Sequence, residues 1–270
     1  MAPAAAAVPG AGAQPGPLKG RLKQSVARWC YNKIGLEDLA RAASRMGLRG
    51  IDLINSEEWP LARKYGLVPA MTPGGGTIPD GLNRTENHDK IEREMRENIA
   101  RAAAAGVPNV ITFSGNRCGL SDDAGLDNCV IGLNRVKKLA EDHGVTICLE
   151  LLNSKVDHKD YQCDHTRWGV EVIRRVDSPR VKLLYDIYHM QIMEGDVIRT
   201  IRENSRWIGH FHTAGNPGRK DMDDDQEMNY RGICRGIAAT PYAGFVGHEF
   251  WAKGDRMAAL RRAFEICNQG

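Results

Sequence analysis

Short apolar runs alternate with longer segments of helical periodicity from residue 24 to the end of the 270-residue chain. The runs are rich in Val, Ile and Leu, which is typical of parallel strands that are covered on both faces. In the longer segments, such as GLEDLARAASRMG, apolar residues recur at the spacing of one helix face. The pattern predicts eight strands, at residues 24–29, 50–54, 67–71, 109–113, 146–151, 182–186, 207–212 and 244–250.

Four predicted helices end at a glycine just before the next strand, at Gly47, Gly66, Gly106 and Gly144. Glycine readily adopts the left-handed conformation that closes a helix, so these positions agree with the periodicity. Eight strand and helix units in about 250 residues predict one (β/α)8 TIM barrel over residues 21–270. A doubly wound open sheet is the alternative, but it needs a glycine-rich phosphate loop after the first strand, and QSVARWCYNKIG contains none.

Composition and charge narrow the classes of partner. The chain has 37 Lys and Arg against 34 Asp and Glu, a formal charge of +3, with no basic run of the kind that follows a phosphate backbone. No segment approaches the roughly 20 apolar residues that cross a bilayer. These features predict a protein with a small-molecule partner and with neither nucleic acid nor membrane as a partner. They are compatible with a homo-oligomer.

Residues 1–20 begin with a stretch made almost wholly of Ala, Pro and Gly, which predicts a disordered arm outside the barrel. The seven cysteines are odd in number and include no CxxC pair, which argues against a disulfide framework and a thiolate zinc site. Most are expected to be buried, and a cytoplasmic location follows from the reducing environment that free thiols need. A periplasmic location is the alternative if the arm is the remnant of an export signal.

Four successive predicted strands in the C-terminal half end in a polar side chain. The runs ICLE, LLYD, GHFH and VGHE place Glu150, Asp186, His212 and Glu249 at separations of 36, 26 and 37 residues. Each separation is close to one βα unit of roughly 30 residues, so all four are expected at the face where barrel enzymes build their active sites. A strand-end carboxylate paired with a nearby Lys or Arg is the alternative for any one of them.

Three carboxylates and an imidazole in one apolar mouth repel one another unless a cation lies between them. Hard oxygen donors with a single nitrogen favour one divalent ion, Mn²⁺ or Mg²⁺ with Co²⁺ as a further candidate, over structural zinc. Glu150 and Glu249 come from strands on opposite sides, so one can remove a proton from a chelated α-hydroxy carbonyl substrate and the other can return it. The predicted reaction is isomerisation or epimerisation through an enediolate, without an organic cofactor.

The same residues lie in longer motifs. The segments LLYDIYHMQIMEGDVIRTIREN, IGHFHTAGNPGRKDMDDDQEMNYRGI and VGHEFWAKG resemble the last three strands and loops of the xylose-isomerase-like barrels, and more narrowly of the hydroxypyruvate isomerases. The resemblance implies conversion of hydroxypyruvate to tartronate semialdehyde. It also implies that the four strand-end residues are metal ligands and that Glu150 and Glu249 are the acid/base pair. His189 would touch a substrate oxygen, and Arg219 would hold a carboxylate or hydroxyl through its bidentate fork.

Two features depart from the hydroxypyruvate isomerase pattern. That group carries Gln where this chain has His212, whereas the ketose 3-epimerases carry His, so ketose 3-epimerisation is an alternative. The loop over residues 150–164 is longer than expected, which also leaves cleavage of a 3-keto-glycoside as an alternative. Lys155 in this loop is a candidate for substrate contact, with a solvated loop as the other interpretation. Trp29 and Trp251 are candidate pocket walls, or else packing plugs between helix and strand.

Three further expectations concern the remaining polar positions. The predicted strands one to four end without metal-ligating residues, which argues against an apurinic endonuclease with its larger zinc cluster. The glycine-rich segment at residues 72–81 is a candidate flap over the barrel mouth or a passive connection. By strand alternation, His210 faces inward beneath His212 as a hydrogen-bond partner, while His248 faces outward beneath a helix.

Overall fold

The computed structural model describes residues 20–269, so the predicted arm lies outside the described residues except for Gly20. Eight parallel strands pair in chain order, and the last pairs with the first to close a barrel. The predicted (β/α)8 barrel is confirmed. The strands are β1 Lys23–Ala27, β2 Gly50–Asp52, β3 Val68–Gly75, β4 Asn109–Thr112, β5 Thr146–Leu151, β6 Val181–Asp186, β7 Ile208–Thr213 and β8 Phe245–His248.

Helices cover the outside of the barrel. Each α-helix follows a strand, and the connections after β4 and β6 contain two helices each. The first strand ends two residues earlier than predicted, because Arg28–Tyr31 turns into a 3-10 helix and carries Trp29 to the barrel mouth. The α-helices are α1 Leu36–Met46, α2 Trp59–Lys64, α3 His88–Ala104, α4 Asp122–Asn134, α5 Lys137–His143, α6 Thr166–Val176, α7 Ile187–Met193, α8 Val197–Asn204, α9 Tyr230–Ala238 and α10 Arg256–Cys267.

The first helix shows how the periodic pattern becomes packing. Leu39, Ala40 and Ala43 share the buried face of α1, while its charged residues face solvent. The helix ends at Gly47, whose φ of 108° is left-handed, and a Cβ there would lie 2.8 Å from the ring of Phe264 in α10. The predicted glycine cap therefore also lets the first and last helices approach each other.

The glycine-rich segment after the third predicted strand is partly sheet. Thr72, Pro73 and Gly75 pair with β4, and the Thr112 hydroxyl donates to the Gly75 carbonyl at 2.9 Å. Interpreting residues 72–81 as a flap is therefore wrong for the first four, since the β4 pairing holds them. The β3–β4 register shifts between Pro73 and Gly75, and such irregularities are where a proline is tolerated within a sheet.

The barrel interior contains an apolar cluster that is separate from the main hydrophobic core. Met71, Ile111, Cys148 and Leu184, from β3 to β6, form a small apolar cluster apart from the main core between strands and helices. Six of the seven cysteines are buried and all are free, as expected, with Cys118 exposed. Within residues 20–269, no helix is both long and apolar enough to cross a membrane.

Candidate active site

The carboxyl ends of the last four strands bring four polar side chains into one buried cluster. One metal-ligating atom from each of Glu150, Asp186, His212 and Glu249 lies within 4.8 Å of the others. His212 Nδ1 is 3.0 Å from Glu249 Oε2 and 3.6 Å from Glu150 Oε1. The tertiary structure thus gathers the four residues that the strand-end pattern singled out, and we call them the ligand cluster.

Backbone contacts hold the carboxylates of the ligand cluster in place. Asp186 ends β6 and is also the N-cap of α7, where its Oδ1 accepts hydrogen bonds from the amides of Tyr188 and His189 at 2.9 and 3.2 Å. This cap satisfies amides that the first turn of a helix leaves free. Glu249 follows β8 directly, and its amide donates to the Thr213 carbonyl at 3.0 Å. The helix cap therefore orients the Asp186 carboxylate, and the bond to Thr213 fixes the backbone from which the Glu249 side chain projects.

Glu150 is fixed by a buried tyrosine. The Tyr161 hydroxyl donates to the Glu150 carbonyl at 2.9 Å and accepts from the Ser114 amide at 3.0 Å.

We expect Tyr161→Phe to lower the free energy of unfolding by about 1–3 kcal/mol, because two buried backbone groups lose their partner. Urea unfolding measures the change. Tyr65→Phe is the control, since that hydroxyl bonds the half-exposed Glu37, and an equal loss in both variants would contradict the expectation.

The carboxylates of the ligand cluster are buried close together, and their pKa values shift in different directions. Burial raises the pKa of Asp186 to about 7 and raises the pKa of Glu150 above its ordinary value. Although burial acts in the same direction on Glu249, the adjacent His212 imidazole and Arg219 guanidinium hold the pKa of its carboxyl below the ordinary value. Three carboxylates cannot all be ionised here without more positive charge, and a divalent cation at their centre would supply it.

Arg219 and two tryptophans border the ligand cluster at the barrel mouth. The Arg219 guanidinium donates to Glu249 Oε2 and lies 3.4 Å from Asp186 Oδ2. It also packs on the Trp29 ring, with 5.3 Å from Cζ to the ring centroid. Trp29 Nε1 donates to Glu249 Oε1 at 2.7 Å, and Trp251 meets the Trp29 ring edge-on at 4.8 Å. Trp29, Trp251 and Arg219 therefore form one side of the site.

A cavity of about 350 Å³ opens beside the ligand cluster. Glu150, Glu249 and Arg219 are its charged lining, with His158 at the rim. A cavity of about 410 Å³ at the opposite end of the barrel, between residues such as Lys182 and Phe245, contains none of the ligand cluster. The smaller cavity is therefore the candidate substrate pocket. Its apolar wall consists of Leu53, Pro73, Ile78, Ile111, Phe113 and Leu152.

Comparison with known proteins agrees with the barrel fold. A family model described as "Xylose isomerase-like TIM barrel" matches residues 33–269. The chain belongs to this family. A Danio rerio relative with the provisional name of hydroxypyruvate isomerase is 31% identical over 235 residues, which are 87% of this chain and 81% of the relative. The 2-oxo-tetronate isomerase of Pectobacterium atrosepticum is 25% identical and covers 83% of this chain and 89% of its own length.

Solved structures share the fold of this xylose isomerase-like barrel at lower identity. An AP endonuclease of family 2 from Brucella melitensis superposes with a TM-score of 0.79 at 21% identity, over 89% of this chain and 96% of that one. A D-psicose 3-epimerase structure determined with D-fructose has a TM-score of 0.72 at 16% identity, over 92% and 96% of the two chains. Because these names belong to enzymes of different reactions, the superpositions establish the barrel and leave the chemistry to the site.

His189 and Lys155, both predicted to contact substrate, lie differently. His189 is buried, its Nδ1 lies 2.6 Å from Asn153 Nδ2, and its Nε2 has no hydrogen-bond partner within residues 20–269. That nitrogen is 3.6 Å from Asp186 Oδ2, so it faces the ligand cluster. The Lys155 ammonium instead donates to the carbonyls of residues 192 and 193 at the end of α7, at 3.0 and 2.9 Å. It ties a loop to a helix and does not reach the site.

Sequence reasoning missed Asp52. This residue ends β2, is fully buried, and together with His210 and His212 forms a second group of metal-competent side chains. The expectation that strands one to four lack such ends is therefore wrong at β2. A signal was present, since GIDLI places an acid within a short apolar run as the later strands do. A carboxylate that is fully buried inside a barrel needs polar partners, so an acid in this run indicates further polar side chains inside the barrel.

The two other strand histidines lie as predicted. His210 is buried inside the barrel, with Nε2 3.0 Å from Asp52 Oδ2. The His248 ring lies between Gln24 Oε1 at 2.8 Å and the Thr213 hydroxyl at 3.0 Å, and the Gln24 amide in turn donates to the Phe264 carbonyl of α10. His248 is thus tied to the helix layer, whereas His210 belongs to the polar interior beneath the ligand cluster.

Proposed function

We propose that this protein is a divalent-metal-dependent isomerase of small α-hydroxy carbonyl acids, with hydroxypyruvate to tartronate semialdehyde as its reaction. The observation that carries the proposal is the ligand cluster, whose four ligating atoms lie within 4.8 Å of one another at the edge of a cavity. Relatives over most of the chain bear the names of hydroxypyruvate and 2-oxo-tetronate isomerases. Those names describe the same reaction class.

The donor set fits one hard divalent ion. Three carboxylates and one imidazole are suitable ligands for Mn²⁺ or Mg²⁺, with Co²⁺ also acceptable. His212 Nδ1 is buried, faces two of the carboxylates and has no hydrogen-bond partner in the described chain, as expected of a ligating nitrogen. When bound, the ion would polarise the substrate carbonyl and hydroxyl and so acidify the adjacent C–H bond.

In this proposal the two glutamates transfer protons at neighbouring carbons of the substrate. Glu150 and Glu249 both line the cavity. Glu150 lies on β5 and Glu249 directly follows β8. One carboxylate takes the proton from C3 of hydroxypyruvate, and the other delivers a proton to C2 of the enediolate. The hydroxyl proton at C3 moves to the oxygen at C2. His189 would carry it, since its Nε2 has no hydrogen-bond partner among the described residues and lies 3.6 Å from Asp186 Oδ2. The net change is an isomerisation without any external oxidant or reductant.

The walls of the cavity favour a small acid. The buried Nε of Arg219 has no hydrogen-bond partner among the described residues, so the guanidinium retains a donor for a substrate carboxylate. The other lining residues of the cavity are mainly apolar and would limit the access of water to the reacting carbons. A small substrate with one carboxylate fits a cavity with charged and apolar sides better than a long polar sugar does.

Ketose 3-epimerisation is the second candidate function. It is favoured by one observation, the imidazole of His212 in the ligand cluster, because the ketose 3-epimerases that this chain resembles carry histidine at this position. The same two glutamates would then remove and return a proton on opposite faces of one carbon. A ketohexose is larger than hydroxypyruvate, so relative turnover of the two substrates distinguishes the candidates.

Metal dependence can be tested directly. We expect chelator-treated protein to have no measurable turnover of hydroxypyruvate, 2-oxo-tetronate or a ketohexose, and stoichiometric Mn²⁺ to restore it for the preferred substrate. Exchange of the substrate C–H proton in deuterated water, followed by NMR, reports proton abstraction even when net conversion is small. Untreated protein that is dialysed in parallel is the control. Full exchange in metal-free protein would contradict the proposal.

A further inference from the structure

A second polar group lies beneath the ligand cluster, inside the half of the barrel opposite the apolar cluster. Its centre is the buried Asp52 carboxylate, whose Oδ2 accepts from the Ser25 hydroxyl at 2.8 Å and lies 3.0 Å from His210 Nε2. The same oxygen is 3.6 Å from His212 Nε2. We call Ser25, Asp52 and His210 the lower polar layer, and His212 is the member of the ligand cluster that it contacts through Asp52 and His210.

The strand next to this layer provides space for it. Gly247 of β8 pairs with Ser25 of β1 on one side and with His212 of β7 on the other. A Cβ at Gly247 would lie 2.2 Å from Asp52 Oδ2 and 3.0 Å from Cδ2 of His212. A Cβ here would force the Asp52 carboxylate to move, so the glycine allows the carboxylate and the imidazole to lie close to each other. The close approach of Asp52 to His212 therefore depends on the glycine in the neighbouring strand.

The two nitrogens of His212 face different groups. Nδ1 points at Glu249 and Glu150, whereas Nε2 points at Asp52. His212 Nε2 has no hydrogen-bond partner among the described residues, and the Asp52 carboxylate lies 3.6 Å from it. A hydrogen on Nε2 directed at this carboxylate would leave the Nδ1 lone pair facing the other ligands. Histidines that bind metals commonly donate their second N–H to a carboxylate, which fixes the ring orientation and increases the basicity of the ligating nitrogen.

We propose that Asp52 is a positioning residue that orients His212 so that Nδ1 binds the metal ion. This inference rests on the proposed function, because it takes the ligand cluster to hold a divalent ion. We assign no second ion to this layer, because Asp52 Oδ2 is already engaged by Ser25 and lies within hydrogen-bond distance of His210. Asp52 Oδ1 has no hydrogen-bond partner among the described residues, so the number of ions bound is part of the test, and one ion per chain is expected.

The test measures metal affinity without any substrate. Mn²⁺ is titrated into the full chain, and the free ion is counted by its EPR signal. We expect Asp52→Asn to weaken Mn²⁺ binding about 10- to 100-fold, the usual effect of losing such a partner. Ser25→Ala is the matched control, because it removes one neighbour of Asp52 and keeps the carboxylate, and it should change the affinity less than about 3-fold. Asp52→Ser is a second route if the asparagine variant does not fold.

A double-mutant cycle separates positioning from general damage. In the His212→Gln background, Asp52→Asn should cause almost no additional loss of Mn²⁺ affinity, because Asp52 acts through the imidazole that this background lacks. Equal affinities of wild type and Asp52→Asn, additive losses in the cycle, or two Mn²⁺ ions per chain would each overturn the inference. Wild-type protein that binds Mn²⁺ without isomerising any substrate would overturn only the proposed function, and wild-type protein that binds no Mn²⁺ would overturn both.

Discussion

Replacing Glu249 with glutamine lowers kcat for hydroxypyruvate by at least about 100-fold and as much as 10,000-fold, the range expected when a general acid or base is lost. Glutamine keeps the shape of the side chain but can neither take up nor return a proton. The loss should appear equally in the exchange of the substrate C–H proton with deuterated water. Both rates are measured at saturating Mn²⁺, so that weaker metal binding does not limit them.

The control is Glu203→Gln, which removes a carboxylate from the exposed face of α8. It should leave turnover and exchange unchanged. The comparison isolates the position of Glu249, whose Oε1 accepts from Trp29 Nε1 at 2.7 Å and whose Oε2 lies 3.0 Å from His212 Nδ1. Exchange at the wild-type rate in Glu249→Gln would rule out the two-base mechanism.

Arg219→Met has its largest effect on the metal-free protein. The guanidinium is buried and offsets the carboxylates of Glu249 and Asp186. Removing one partner of a buried ionic group costs about 3–5 kcal/mol, because the remaining charge keeps its desolvation penalty. For a domain of this size the melting temperature would fall by roughly 6 to 20 °C. Saturating Mn²⁺ should recover most of this loss, since the ion supplies the missing positive charge.

Thermal unfolding with chelator and with Mn²⁺, followed by circular dichroism, measures both effects. Arg206→Met is the control, because this exposed arginine packs on the Trp207 ring far from the site, and its melting temperature should shift little in either condition. A metal-free Arg219→Met protein as stable as wild type would contradict the assigned role of the guanidinium. So would an equal loss of stability with and without Mn²⁺.

Much of this site could be predicted because barrels repeat. Glu150, Asp186, His212 and Glu249 each follow an apolar run at nearly the spacing of one βα unit, and parallel strands in a closed barrel bring such ends together. The barrel itself follows from the alternation of apolar runs and helical segments. Local patterns were sufficient here, because each residue needed only to be placed at the end of its own strand.

The loop contacts could not be predicted in this way. Lys155 was expected at the pocket because its loop follows the strand of Glu150, but its ammonium donates to two carbonyls at the end of α7. Helices leave their last carbonyls without partners, and a nearby lysine satisfies them. The motif singled out Arg219, and the structure brings its guanidinium to Glu249. Its packing against Trp29 and its contact with Glu249 depend on how loops from three strands fold together.

By itself, the sequence determined the eightfold alternation, the mouth at which the polar strand ends meet and the four residues of the ligand cluster, since these follow from periodicity along the chain. Only the tertiary structure decided the role of Asp52, which lies 158 residues from His210 in sequence and meets it inside the barrel. Closure of β8 against β1 places β2 close to β7, and Gly247 leaves the space between them. Contacts across the interior of a closed sheet depend on this closure, which no local pattern encodes.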